Sequence, residues 1–305
     1  MGYDAAPEAR SEEARMSQIA EYHRPGTLEE ALKLLQQGGG KAVLLAGGTS
    51  LSVRLPSRTE TLVDTAELGL DYIEERGDAV VIGAGVRVAE LMQTPVLERL
   101  YGGILPQAVR VLASTPLRNR ITCGGNVVQV MPWSDLPGVL LAMDASFEIH
   151  SAGGRTRTLS ADEFYARHPR THLSPAEMVT EVRIPVPRYA HMGAYHKVSL
   201  TKVDYAGLGL SATLQMEQNR VVSCRIVAAA LRPLPLRIRQ AESAVEGQQA
   251  GRDIFVRAGA IAAGAVEPTR DYRYSQRYRK HLLKIWTRRC LEDAARRGPE
   301  GDHAD

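Results

Sequence analysis

Leu44-Leu45-Ala46-Gly47-Gly48-Thr49-Ser50-Leu51 is the stretch on which the reading of this chain turns, and Thr122-Cys123-Gly124-Gly125-Asn126 is its counterpart. Each sets a glycine pair beside a hydroxyl or amide side chain. Glycine lets a main chain approach a ligand without a Cβ clash and take positive φ where a tight turn needs it. Successive amides in such a turn can point inward as an anion-binding nest. One such segment alone reads as a plain tight turn. Two in one chain, with hydroxyls at matching places, read as a diphosphate gripped from both sides, and hence as a dinucleotide-like cofactor. Hydrogen bonds to charged groups contribute about 1.5–3 kcal/mol each. Several amides together with Thr49, Ser50, Thr122 and Asn126 would therefore hold such a ligand tightly.

Two other phosphate-binding patterns fit poorly. No Lys-Ser/Thr pair follows Gly48, so the first loop lacks the reach to β/γ-phosphates that defines a P-loop. Val80-Val81-Ile82-Gly83-Ala84-Gly85-Val86-Arg87-Val88 resembles a strand running into G-x-G-x-x-G, but Val88 takes the third glycine position. Its strand also reads as half of a hairpin, not as the opening of a βαβ unit.

Outward from the first loop, Thr27-Leu28-Glu29-Glu30 is a capping box, and Leu28, Ala31, Leu32 and Leu35 share one helical face. Short strands are expected at 41–45 and 61–64, and a hairpin turns at Arg76-Gly77-Asp78. Residues 88–92 and 96–113 have a helical pattern, limited by Pro95 and Pro106. A short helix with Pro137 near its start, a hairpin about Gly153-Gly154 and a strand over 179–185 follow the second loop. From Gly193 the texture becomes three antiparallel strands (195–199, 207–215, 221–230) and then helices over 238–246, 253–263 and 275–295. That order predicts an α+β fold. The expected divisions are a disordered leader over 1–18, a cofactor domain over 19–187 with subdomains 19–70 and 71–187, an α+β domain over 188–297, and a disordered tail over 298–305.

Composition narrows the function classes. The chain has 305 residues, 44% apolar and 24% charged, as an ordinary globular protein does. A net charge of +3 is too mild to argue for nucleic acid, and the basic run from Arg270 to Arg297 is interleaved with acids and apolar residues. No apolar run approaches the roughly 20 residues that cross a bilayer. Cys123, Cys224 and Cys290 are far apart and form no CxxC pair, which argues against a metal site and suits a reducing cytoplasm. The 5% aromatic content argues against a spacious aromatic substrate pocket, and no Ser–His–Asp arrangement has a nucleophile-elbow context.

Taken together, Ala46-Gly47-Gly48-Thr49-Ser50-Leu51, Arg118-Asn119 ahead of Thr122-Cys123-Gly124-Gly125-Asn126, and Ser134-Asp135-Leu136-Pro137 resemble the FAD-binding medium subunit of molybdenum hydroxylases, the carbon monoxide dehydrogenase and xanthine dehydrogenase group. Tyr278-Arg279-Lys280-His281-Leu282-Leu283 also looks like the closing helix of that family, so the resemblance runs from about Ile19 to the C-terminal helix. It implies a two-subdomain FAD-binding domain of the vanillyl-alcohol oxidase (PCMH) type, followed by a smaller α+β domain with a three-stranded antiparallel sheet and helices. By the same resemblance Leu44, Leu45, Ala46, Gly47, Gly48, Thr49, Ser50 and Leu51 line the FAD pyrophosphate and ribityl region. Thr122, Cys123, Gly124, Gly125 and Asn126 close on it from the other subdomain. Asp135 would accept from ribityl or ribose hydroxyls, or simply cap its helix. Leu112 and Val179 would pack on the cofactor, or be plain core. Lys197 would lie near the isoalloxazine edge, where a cation stabilises the charge of reduced flavin, or be an exposed strand residue.

The resemblance further implies an electron-transfer subunit in an αβγ complex, single or doubled. A small [2Fe-2S] subunit would deliver electrons from a large molybdopterin subunit, and FAD would pass them to an external acceptor. Three departures stand out. Cys123 replaces the usual Ile or Val, as a small hydrophobe or as a redox-sensitive thiol. Thr49 replaces a His found in some relatives, so the FAD is expected to be non-covalent. Thr201 stands where an Arg often precedes the Asp here at 204, which leaves acceptor preference open. Three other readings remain: a self-contained FAD oxidase of the same fold, a docking or regulatory protein that has lost its cofactor, and a nucleotide-phosphate binder using the same loops.

Overall fold

The computed structural model describes residues 19–201 and 204–297. The expected leader (1–18) and tail (298–305) lie outside the described residues. Three sheets carry the described residues. The first is small and wholly parallel, in the order β1 (Glu21–His23), β3 (Thr61–Asp64), β2 (Ala42–Leu45). The helix Leu28–Gln37 covers it through Ala31, Leu32 and Leu35, which meet Ala42 and Val63. Thr27 Oγ1 accepts from the Glu30 amide at 3.2 Å, as a capping residue should. The Glu30 carboxylate reaches back to Gly26 N–H rather than to Thr27.

The second sheet is antiparallel, in the order β4 (Ile73–Arg76), β5 (Ala79–Gly83), β8 (Glu177–Pro185), β6 (Ser146–Ser151), β7 (Arg155–Ser160). Its β4–β5 and β6–β7 hairpins fall where the sequence sets them, with Gly77 at φ 62° and Gly153 at φ 81°. β5 sits inside this sheet and leads into no helix, so Gly83-Ala84-Gly85 is no dinucleotide fingerprint. Gly83 is there for a different reason: a Cβ would lie 2.2 Å from Leu70 O, whose backbone crosses at that point.

One expected element is broken. Residues 96–113 form two helices, Pro95–Arg99 and Ile104–Arg110, because Tyr101, Gly102 and Gly103 all take positive φ (49°, 60° and 70°). Pro106 sits harmlessly in the first turn of the second helix, so the glycine pair makes the break.

The third sheet runs β12 (Leu236–Arg237), β11 (Arg220–Ala229), β10 (Leu208–Glu217), β9 (Ala190–Val198), all antiparallel. The three expected strands are present, and two-residue β12 adds a fourth. Gln218 and Asn219, both at positive φ, make the tight β10–β11 turn. Helices Arg239–Val245, Arg252–Ala265 and Gln276–Arg296 cover one face, with Leu283, Cys290, Leu291 and Ala294 buried against it. The other face joins the largest core through Tyr195 and Val227, and Thr213 Oγ1 donates to Ala142 O at 2.7 Å. Arg225 grips both oxygens of Asp144 at 3.0 and 2.9 Å, adding an ionic tie between second and third sheets.

Candidate functional site

Where the three sheets meet lies a cleft of about 810 Å³, within the range of roughly 300–1,000 Å³ usual for ligand sites. The first glycine loop leaves β2 and forms one wall. A Cβ on Gly47 would lie 1.8 Å from Arg120 O, so only glycine lets this loop press against the strand-like 120–122 segment. Gly48 takes φ 74° and turns the chain. Ser52 N–H donates to Gly48 O and Arg54 N–H to Ser50 O, both at 2.9 Å, closing the loop on its carbonyl side. The amides of Gly47, Gly48, Thr49, Ser50 and Leu51 find no acceptor among the described residues. Gly47 is buried and the next four residues are half-buried, so this run of N–H groups along a cleft wall can meet an anion.

The second loop is built in the opposite way. Cys123 N–H donates to Val86 O, Gly124 N–H to Ala84 O, and Asn126 N–H to Thr122 O, at 2.8, 2.9 and 3.0 Å. Thr122 caps the short helix Cys123–Val128, its Oγ1 accepting from Gly125 N–H at 3.1 Å. Its amides are spent, so it is no nest. Gly124 is a packing glycine: a Cβ would sit 2.6 Å from that of Ala84. What this loop offers the cleft is side-chain chemistry, for Asn126 Oδ1 is buried with no hydrogen-bond partner among the described residues.

The C-terminal domain supplies the third wall through β9. Lys197 and Tyr195 lie two apart on one face of that strand and converge on Asp135. Tyr195 OH donates to Asp135 Oδ1, and Lys197 Nζ donates to Oδ2 at 3.3 Å and to Val111 O at 3.1 Å. Both charged side chains are almost fully buried, at 8% exposed for Lys197 and 6% for Asp135. Burial pushes the Asp135 carboxyl above its ordinary range, and the Lys197 ammonium and Tyr195 hydroxyl oppose that rise. Asp135 makes no capping bond to its helix, so its carboxylate serves the ion pair instead. Arg118 clamps the neighbouring turn, donating to Leu112 O and Ala113 O at 2.9 and 2.8 Å, with Ala113 held at φ 48°.

Of the residues singled out in the sequence, Leu44, Ala46, Gly47, Gly48, Thr49, Ser50, Leu51, Leu112, Thr122, Gly124, Gly125, Asn126, Asp135, Val179 and Lys197 line this one cleft. Leu45 and Cys123 do not line it. Leu45 packs beneath the turn at Gly48, where a Cβ on Gly48 would lie 3.5 Å from Leu45 Cδ1. Cys123 is wholly buried in the main core, and burial pushes its thiol up to about 12, so it is a small hydrophobe there. Trp133 and Tyr205 also line the cleft, their rings 4.3 Å apart across the domain junction. Arg118 stood in the quoted motif, but nothing in the sequence ties Trp133 to Tyr205, or Tyr195 to Asp135.

Comparison with known proteins finds two family models that match successive parts of the chain. A family model described as the FAD binding domain in molybdopterin dehydrogenase matches residues 15–187. A second, the CO dehydrogenase flavoprotein C-terminal domain, matches residues 193–294. The carbon monoxide dehydrogenase medium chain of Hydrogenophaga pseudoflava is 31% identical over 278 residues, covering 90% of this chain and 96% of that one. The glyceraldehyde dehydrogenase medium chain of Sulfolobus acidocaldarius is 27% identical, covering 90% and 98%. Among solved structures, the Hydrogenophaga carbon monoxide dehydrogenase matches with a TM-score of 0.85 at 30% identity, covering 92% of this chain and 98% of that one. Quinoline 2-oxidoreductase from Pseudomonas putida 86 matches with 0.81 at 27% identity, covering 91% and 97%.

Proposed function

Because this chain belongs to the FAD-binding family of molybdopterin dehydrogenases, the oxidoreductase medium chains, we propose that it is the electron-transfer subunit of a molybdenum-dependent hydroxylase complex. In this reading a small [2Fe-2S] subunit and a large molybdopterin subunit complete an αβγ assembly, single or doubled, in the cytoplasm. FAD, when bound, supplies the redox carrier between those clusters and an external acceptor. The relatives named above act on carbon monoxide, glyceraldehyde and quinoline with medium chains or folds of one kind. Substrate choice is therefore assigned to the large partner.

The single observation that carries this reading is the run of five unpartnered amides, Gly47 to Leu51, along a cleft of dinucleotide scale. Those amides and the Thr49 and Ser50 hydroxyls would hold the diphosphate. Asn126 Oδ1 would accept from a hydroxyl or ring N–H of the cofactor, which ends its isolation. Leu112 and Val179 would give apolar wall, and the Asp135–Lys197 pair a fixed polar one. Leu45 and Cys123 would act only from behind, through packing.

The purified full chain should take up FAD one to one, without a covalent link. Gly48→Val should abolish FAD retention in a soluble, folded chain, because a β-branched residue resists φ 74°. Full flavin occupancy in that variant would overturn the loop assignment. A tagged chain in its native host should bring down one small iron–sulfur protein and one large molybdopterin protein. Bleaching of the isolated flavoprotein by small alcohols would overturn the subunit reading in favour of a self-contained oxidase.

A further inference from the structure

We infer that Tyr195, which does not line the cleft, is a positioning residue for the bound cofactor: by holding Asp135 it keeps the carboxylate paired with Lys197, and so sets the charge of the wall that the flavin meets. This rests on the reading that the cleft holds FAD. Tyr195 is 7% exposed, and its hydroxyl is committed to Asp135 Oδ1. That leaves Oδ2 for the Lys197 ammonium, whose other acceptor is Val111 O. The ring has a prepared berth. A Cβ on Gly209 would lie 3.1 Å from the Tyr195 hydroxyl, and Gly209 is the cross-strand partner of Lys197. At its other end the Tyr195 amide donates to Gln107 Oε1 at 3.3 Å, and Gln107 Nε2 donates in turn to Gly102 O. The residue is thus fixed from both sides and delivers one donor to one carboxylate.

The physics of the arrangement follows from its burial. An ionised carboxylate in so dry a place needs donors, and burial already drives Asp135 towards its protonated form. With the hydroxyl and the ammonium both present, the wall carries a neutral pair. Without the hydroxyl the buried carboxylate takes up a proton more readily, so less negative charge faces Lys197 and the wall becomes more positive. A positive wall stabilises an electron-rich ligand relative to its oxidised form.

Tyr195→Phe removes one oxygen and keeps the ring. We expect the full-chain variant to retain its melting behaviour within a few degrees and still bind FAD. Its two-electron midpoint potential should rise by about 30 mV, which is a tenfold gain in relative affinity for the reduced form. In an Asp135→Asn background the same substitution should change nothing further. Gly209→Ala, which crowds the hydroxyl, should shift the potential in the same direction and serves if Tyr195→Phe fails to fold. Wild-type chain that takes up no FAD would overturn the cleft reading and this inference with it. Wild-type chain that binds FAD, with equal potentials in Tyr195→Phe and in Gly209→Ala, would overturn the inference alone.

Discussion

Gly47→Ala tests the reason for the first glycine most sharply. Its added methyl would stand 1.8 Å from Arg120 O, 2.7 Å from Arg120 C and 3.3 Å from Ile121 Cα, all backbone atoms with no rotamer to give. The loop must move by on the order of 1 Å, a scale at which overpacking costs about 1–3 kcal/mol. That displacement re-aims the amides from Gly47 onward. Losing two of five charged hydrogen bonds at about 1.5–3 kcal/mol each costs about 3–6 kcal/mol, or two to four decades in Kd. Gly48→Ala is the control: its Cβ meets only Leu45 Cδ1 at 3.5 Å, and the left-handed backbone costs about 1–2 kcal/mol. FAD titration of cofactor-free protein, followed by flavin fluorescence quenching, reads the affinity. Thermal denaturation without FAD reads the stability. A Gly47→Ala chain binding FAD within threefold of wild type would refute the close-approach argument.

Three further outcomes are expected. Asn126→Ala should weaken FAD binding about tenfold yet stabilise the cofactor-free chain by about 1 kcal/mol, since it removes a buried oxygen that has no partner; paired titrations and melts would expose equal signs. Arg225→Met leaves Asp144, among the described residues, only the 3.6 Å pair to Arg237 and also removes the pair to Glu246; it should cost about 1–2 kcal/mol, between the values for exposed and buried pairs, and the urea midpoint measures it. Arg157 holds the Glu177 carboxyl below the ordinary range. Its contribution is therefore present above the unfolded carboxylate pKa and lost as pH falls through the folded one. Glu177→Gln should flatten the acid limb of stability, read by denaturation between neutral pH and pH of about 3.

The parts of this molecule legible in the sequence are those written in local chemistry. Thr27 caps its helix, Gly77 and Gly153 turn their hairpins, and the two glycine loops fall at one cleft because short turns announce themselves by residue type. What the glycines are for was not legible. Gly47 and Gly124 are small because Arg120 O and Ala84 press on them, and those contacts span 73 and 40 positions of chain. The symmetry of the two motifs also misleads. Only the first has free amides, since the second spends its own on Val86, Ala84 and Thr122. Leu45 and Cys123 sit in the right segments but turn away from the cleft, Leu45 under the Gly48 turn and Cys123 into the main core. Tyr195 reads as one more alternating strand residue until β9 is seen beside Asp135, 60 residues away.

Hydrogen exchange measured peptide by peptide, on the full chain with and without FAD, tests the central claim most directly. The amides of residues 122–126 should already be slow without cofactor, and those of residues 47–51 should be fast and become strongly protected when FAD is added. Protection of residues 47–51 that does not change with FAD, or a change confined to residues 122–126, would contradict the assignment of the diphosphate to the first loop.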